Sequence, residues 1–227
     1  MPRCTRRISY RAALLAAVGA VVAITAVAPT SRSDFLIEHI PTAALLSLLI
    51  YHARARPLSN LSYTLIFVML MLHAVGAHYL YSQVPYQRWG RSLLGEAVGD
   101  WLATPRNHYD RFVHAAFGLL MVIPAAEVAG RFAGIRPGFW AAVFGIGGVS
   151  LCANAYEALE WLFTFTVSPE AAADYNGQQG DIYDASKDVA LSLAGSLLPA
   201  IWVVATAWPS RARPAVAPAD ASPPRPV

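Results

Sequence analysis

LSYTLIFVMLMLHAVGAHYLY, residues 61–81, decides the fold class. It contains no Asp, Glu, Lys or Arg, and a helix of this length rises by about 31 Å, close to the thickness of a bilayer's hydrocarbon core. Five further apolar runs flank it: Arg11–Ala28, Phe35–Tyr51, Arg111–Arg131, Gly138–Phe165 and Asp188–Trp208. Pro41 and Pro124 interrupt two of them, which membrane helices tolerate when neighbours satisfy the freed carbonyl. The expected fold is all-α: a polytopic membrane helical bundle with about six transmembrane helices.

Composition agrees. Of 227 residues, 56% are hydrophobic and 14% charged, and mean hydropathy is +0.42, against about 25% charged in an ordinary soluble domain. Residues 1–208 read as one membrane-embedded helical domain, and 209–227, rich in Pro and Ala, as a disordered cytoplasmic tail that cannot bury a core. The net charge of +3 does not indicate nucleic acid, because the arginines lie between apolar runs rather than along one basic face. Membrane lipids are the expected partners. Cys4 and Cys152 lack the number and spacing of a disulfide framework or a zinc site.

Arginine asymmetry sets the orientation. With both termini cytoplasmic, Arg3, Arg6, Arg7, Arg54, Arg56, Arg131, Arg136, Arg211 and Arg213 share that side. Arg32, Arg88, Arg91, Arg106 and Lys187 face the other, with most of the acids. The first run ends in Ala26-Val27-Ala28, the small-residue pattern of a signal cleavage site, but Pro29 would follow the cut directly, so an uncleaved anchor is expected. In the loop 82–106, Leu93, Leu94, Ala97, Val98 and Trp101 fall at helical spacing and predict an interfacial amphipathic helix. Ser168-Pro169-Glu170 opens a helix in the loop 167–187, and Asn176-Gly177 turns it.

Three polar stretches lie at the outer ends of the runs: NHYDRFVH (107–114), ANAYEALEW (153–161) and QGDIYDASKD (179–188). An ionised carboxylate near the bilayer centre costs roughly 2.5–3.5 kcal/mol, so such residues face partners or a hydrated cavity. Asp110 and His114 share a helical face, with Arg111 beside them and Asn107 and His108 just outside. Asp110 alone is also explained by a helix N-terminus capped by Asn107. Glu157 and Glu160, three apart, need a proton, a metal or an arginine to neutralise them, or serve as a structural pair. Asp181, Asp184 and Asp188 line one face if the last helix begins near Asp181; alternatively Asp184 is an N-cap and Asp181 a turn residue. His73 and His78 project about 140° apart and cannot share a ligand. Glu127, four residues before Arg131, reads as structural. Ala141, Gly145, Gly148, Ala190, Ala194 and Gly195 permit close helix approach. There is no P-loop, dinucleotide fingerprint, HExxH or GxSxG.

The words HAVGAHYLYSQVP (73–85), NHYDRFVH (107–114), YEALEW (156–161) and QQGDIYDASKDVALSLAG (178–195) make the chain resemble the YjdF family of bacterial inner-membrane proteins. Ala185-Ser186-Lys187 departs from the more polar stretch expected there. A fainter pattern is similar to VanZ-like proteins, which also place Asp and His at one helix start, Glu on another helix and Asp before a late helix. The resemblance implies a multi-pass protein of the bacterial cytoplasmic (inner) membrane, without an established activity.

The functional expectation is a membrane-embedded enzyme or binding protein for a lipid or lipid-linked substrate, with a divalent metal ion, zinc or manganese, as candidate cofactor. Asp110, His114, Glu157, Glu160, Asp181, Asp184 and Asp188 form the candidate catalytic set, of which His114, Glu157, Glu160 and Asp184 are the candidate metal ligands. Arg111, as an anion clamp, and Asn107, His108, His73, His78 and Gln179 form the candidate substrate-binding set. A proton-coupled transporter and a non-enzymatic assembly protein are the alternatives.

Overall fold

The structure is a computed structural model and describes residues 9–53 and 55–207. The tail expected over 209–227 lies outside these residues, as do Cys4, Arg3, Arg6, Arg7, Arg54, Arg211 and Arg213. Nine α-helices and no strand occur among the described residues: α1 Tyr10–Thr25, α2 Arg32–His52, α3 Asn60–Tyr79, α4 Tyr86–Leu94, α5 Glu96–Leu102, α6 Tyr109–Ala133, α7 Phe139–Phe163, α8 Pro169–Asn176 and α9 Asp184–Ala207. Five are long and apolar enough to cross a membrane, α2, α3, α6, α7 and α9; α1 is apolar but shorter, about 24 Å by its rise. The expected all-α membrane bundle is the fold observed.

Local chemistry sets the helix ends. The Oγ atoms of Ser9, Ser31 and Ser59 accept from Ala12 N, Asp34 N and Ser62 N, capping α1, α2 and α3. Gly134, left-handed at φ 69°, closes α6. Pro41, Pro124 and Pro199 all sit inside helices.

One sequence expectation changes here, and one of two alternatives is selected. The amphipathic segment is two short helices, broken at Gly95 with φ 94°. Arg91 bridges the break through Glu96 at 3.0 Å and Asp100 at 2.8 Å, while Leu93, Leu94 and Trp101 stay exposed. The last helix starts at Asp184, so Asp181 lies in the preceding turn and not on its face. That turn forms because Asp181 Oδ1 accepts from Tyr183 N and Asp181 O accepts from Asp184 N.

α6, α7 and α9 pack together around Val122, Ala126, Ala141, Ala142, Val149, Ala200 and Val203. α3 joins this group to α1 and α2. Between α6 and α9 the backbones touch: a Cβ on Gly118 would meet Ser192 O, and one on Gly195 would meet Ala115 O. Gly145 lies similarly against Val122 O. Only glycine permits such approach. Because the helices alternate in direction, the ends of α1, α3 and α7 and the starts of α2, α6 and α9 gather at one end of the bundle.

Candidate metal centre and cleft

At that end α6 carries Asp110 and His114 one turn apart, and α9 brings Asp188 against them; all three are buried. Each offers a ligand atom within 4.8 Å of the others. Ser192 Oγ donates to His114 O at 3.1 Å, so its lone pair accepts from His114 Nδ1–H at 3.3 Å. Nε2 therefore faces the acids, 3.6 Å from Asp110 Oδ1 and 3.3 Å from Glu157 Oε1. Asp188 is 1% exposed, and its Oδ1 has no hydrogen-bond partner. A buried carboxylate oxygen without a donor is costly, and an imidazole nitrogen with two carboxylates is a fitting donor set for a divalent cation.

Outside this group lies a cleft of about 290 Å³, lined by Glu157, Glu160 and Trp161 of α7 with Thr164 just after it, Asn176 at the end of α8, Gln178 of the following loop, and Ile182, Asp184, Ala185 and Asp188 around the start of α9. Asp188 belongs to both the cluster and the cleft, and Glu157, 3.3 Å from His114 Nε2, lines the cleft as well, so the two adjoin.

Other sequence candidates have different partners. Asp184, expected as a metal ligand, accepts from Arg106 at 2.5 Å and Arg111 at 3.1 Å. Arg111, expected as an anion clamp, is engaged by Asp181 and Asp184 because the turn before α9 folds over it. The Lys187 ammonium, the Tyr183 amide and Arg111 hold the Asp181 carboxyl well below the usual carboxylate range. Gln179, at φ 50°, ties this loop to the start of α6: its Oε1 accepts from Asn107 N at 2.8 Å and its Nε2 donates to Asn107 O at 3.0 Å. Asn107, expected as the cap, lies one residue before the N-cap His108, which has no side-chain cap bond; its Oδ1 accepts from Tyr109 N in an Asx turn, while its amide donates to Val84 O. His108 is exposed and does not line the cleft.

His73 and His78 stand apart, as their spacing requires. His73 Nε2 donates to Glu38 O at 3.0 Å, leaving Nδ1 to accept from Tyr81 at 2.5 Å. His78 Nδ1 donates to Thr25 O at 2.7 Å. Both rings fasten helix ends together.

Sequence reasoning missed Glu38. It is buried on α2, and Tyr156 of α7 donates to its Oε2 at 2.6 Å. Tyr175 also bonds to this pair, and burial raises its phenol well above the usual value, as it does that of Tyr81. His39 beside it stacks on Phe35 at 4.2 Å between ring centroids, with both nitrogens buried and unpartnered. The available signal was an acid inside an apolar run. Arg106 and Ser192 were also missed; their roles depend on residues 78 positions away.

Residues 10–208 match the family model described as "Predicted membrane protein (DUF2238)". The chain is 32% identical over 184 residues to "Inner membrane protein YjdF" of Escherichia coli (strain K12), covering 81% of this chain and 83% of that protein. No solved structure matches it. With every described helix inside the matched region, the chain belongs to the DUF2238 family of membrane proteins, the YjdF family its motifs resemble.

Proposed function

We propose that this multi-pass inner-membrane protein holds a divalent cation at Asp110, His114 and Asp188 and uses it to bind or process a lipid or lipid-linked substrate at the outer leaflet. One observation carries this reading: ligand atoms from two helices converge within 4.8 Å, and one of the three residues has a buried oxygen without a donor. When bound, such a cation supplies a Lewis acid for a phosphoryl or carbonyl oxygen. His114 presents Nε2 to it, fixed by the Ser192 bond to Nδ1. Glu157 lies beside that nitrogen and Glu160 in the cleft wall, where either can accept a proton from a bound substrate. With both termini cytoplasmic, the cleft opens at the outer headgroup level.

Transport is the weaker reading, because it needs a polar path to the other end. Between the two ends lies the apolar packing of Val122, Ala126, Val149 and Val203. The test is equilibrium dialysis of purified, chelator-stripped protein against Mn²⁺ or Zn²⁺. One cation per chain, lost in His114→Ala, is expected; no binding by the folded wild type overturns the assignment.

A further inference from the structure

The cleft beyond the cation site has its own chemistry. Four carboxylate residues line it, Glu157, Glu160, Asp184 and Asp188, together with the amides of Asn176 and Gln178; no Lys or Arg does. Asp184 is neutralised from behind by Arg106 and Arg111, Glu157 lies against His114 Nε2, and Asp188 belongs to the candidate cation cluster. Glu160 is left facing the cleft without a cationic partner among the described residues. Asn176 gives a second, independent sign: it is 6% exposed and its Oδ1 is buried with no donor. Such an acceptor costs free energy until a donor reaches it. A carboxylate and an unpaired amide oxygen in one wall, with the Trp161 ring on the rim, suit a ligand that brings N–H donors and positive charge.

We infer that Glu160 and Asn176 recognise the primary ammonium of an aminophospholipid headgroup whose phosphate lies toward Asp110, His114 and Asp188. The inference rests on the cation-site reading for the phosphate end only; the ammonium end stands on the cleft wall. A zwitterionic headgroup satisfies both halves, placing its anionic part on the cation and its donors on the acceptors. Exposed apolar side chains of the cleft lining, Trp161 and Ile182, are suited to lie against acyl chains. A trimethylated headgroup carries the same charge but no N–H, so the preference should be for phosphatidylethanolamine over phosphatidylcholine.

The experiment is native mass spectrometry of the full chain, with Mn²⁺ present, in an equimolar mixture of phosphatidylethanolamine, phosphatidylcholine and phosphatidylglycerol. Phosphatidylethanolamine should be retained about tenfold over phosphatidylcholine, the worth of a charge-assisted hydrogen bond. Glu160→Gln and Asn176→Leu should each reduce that ratio toward one, with wild-type melting temperature and Mn²⁺ binding. Equal retention of the two lipids by a wild type that still binds Mn²⁺ overturns the headgroup inference and leaves the cation site standing. Loss of Mn²⁺ binding with the lipid preference intact overturns the cation site instead and keeps the ammonium pocket. Added phosphoethanolamine separates sources: failure to displace the lipid supports a membrane substrate, and displacement at equal concentration overturns it in favour of a soluble one.

Discussion

The two ends of the bundle use the same residue types to opposite effect. At one end, Glu127 Oε1 accepts from Ser59 N at 2.8 Å and from Arg131 Nε at 2.9 Å, while its Oε2 accepts from Ser59 Oγ at 2.8 Å and Ser62 Oγ at 2.5 Å. Both carboxylate oxygens are satisfied, a cation is paired, and α3 is pinned to α6. At the other end, Asp110, His114 and Asp188 converge with an oxygen unpartnered and a cleft alongside. Acid, base and hydroxyl at a helix end therefore identify a fastening or a site only once their hydrogen bonds are followed.

Substitution can separate the ends. Asp188→Asn should weaken divalent-cation binding by at least about a hundredfold, since it removes a ligand charge and exceeds the 10–100-fold typical of groups behind the ligands; calorimetric titration with Mn²⁺ measures it. Glu127→Ala should leave that titration unchanged and destabilise the fold by about 2 kcal/mol, the worth of charge-assisted bonds, read from thermal melting in detergent. If the two variants exchange phenotypes, the functional contrast between the ends is wrong.

Smaller effects sharpen it. Asp181, with its folded pKa depressed by Lys187, the Tyr183 amide and Arg111, contributes stability that is present above its unfolded value, about 3.9. That contribution fades as pH falls from there through the folded value. Wild type should accordingly outlast Asp181→Asn at neutral pH, and their melting temperatures should converge under acid conditions. Smallest of all, Trp101→Ala on the exposed face of α5 should change stability by less than about 0.5 kcal/mol. It should nevertheless reduce the fluorescence quenching by lipids brominated near the headgroup, because the α4–α5 pair presents Trp101, 80% exposed, with Leu93 and Leu94.

The membrane class was legible because uninterrupted apolar length is a local property, and each long helix falls on a run visible in the sequence. Ends were less so: α3 begins at Asn60 through the Ser59 cap, and α9 begins four residues before Asp188 because the Asp181 turn feeds it. The three polar stretches do meet, yet which acid serves which neighbour follows from helix rotation, which spacing cannot give. Asp184 turns to the arginines and Asp188 to His114, though both lie on one short segment. Glu38 escaped notice because it lies outside the three polar stretches, one turn after Asp34 near the start of α2, and Tyr156, which holds it, is 118 residues away.

The close backbone approach of Gly118 to Ser192 and of Gly195 to Ala115 has a bearing on the candidate ligands above it. α6 and α9 supply all three of Asp110, His114 and Asp188, and with no side chain between the helices at the contact, they form a caliper whose jaws are set two turns below the tips. Ion-size selectivity would then be governed by residues that never touch the ion.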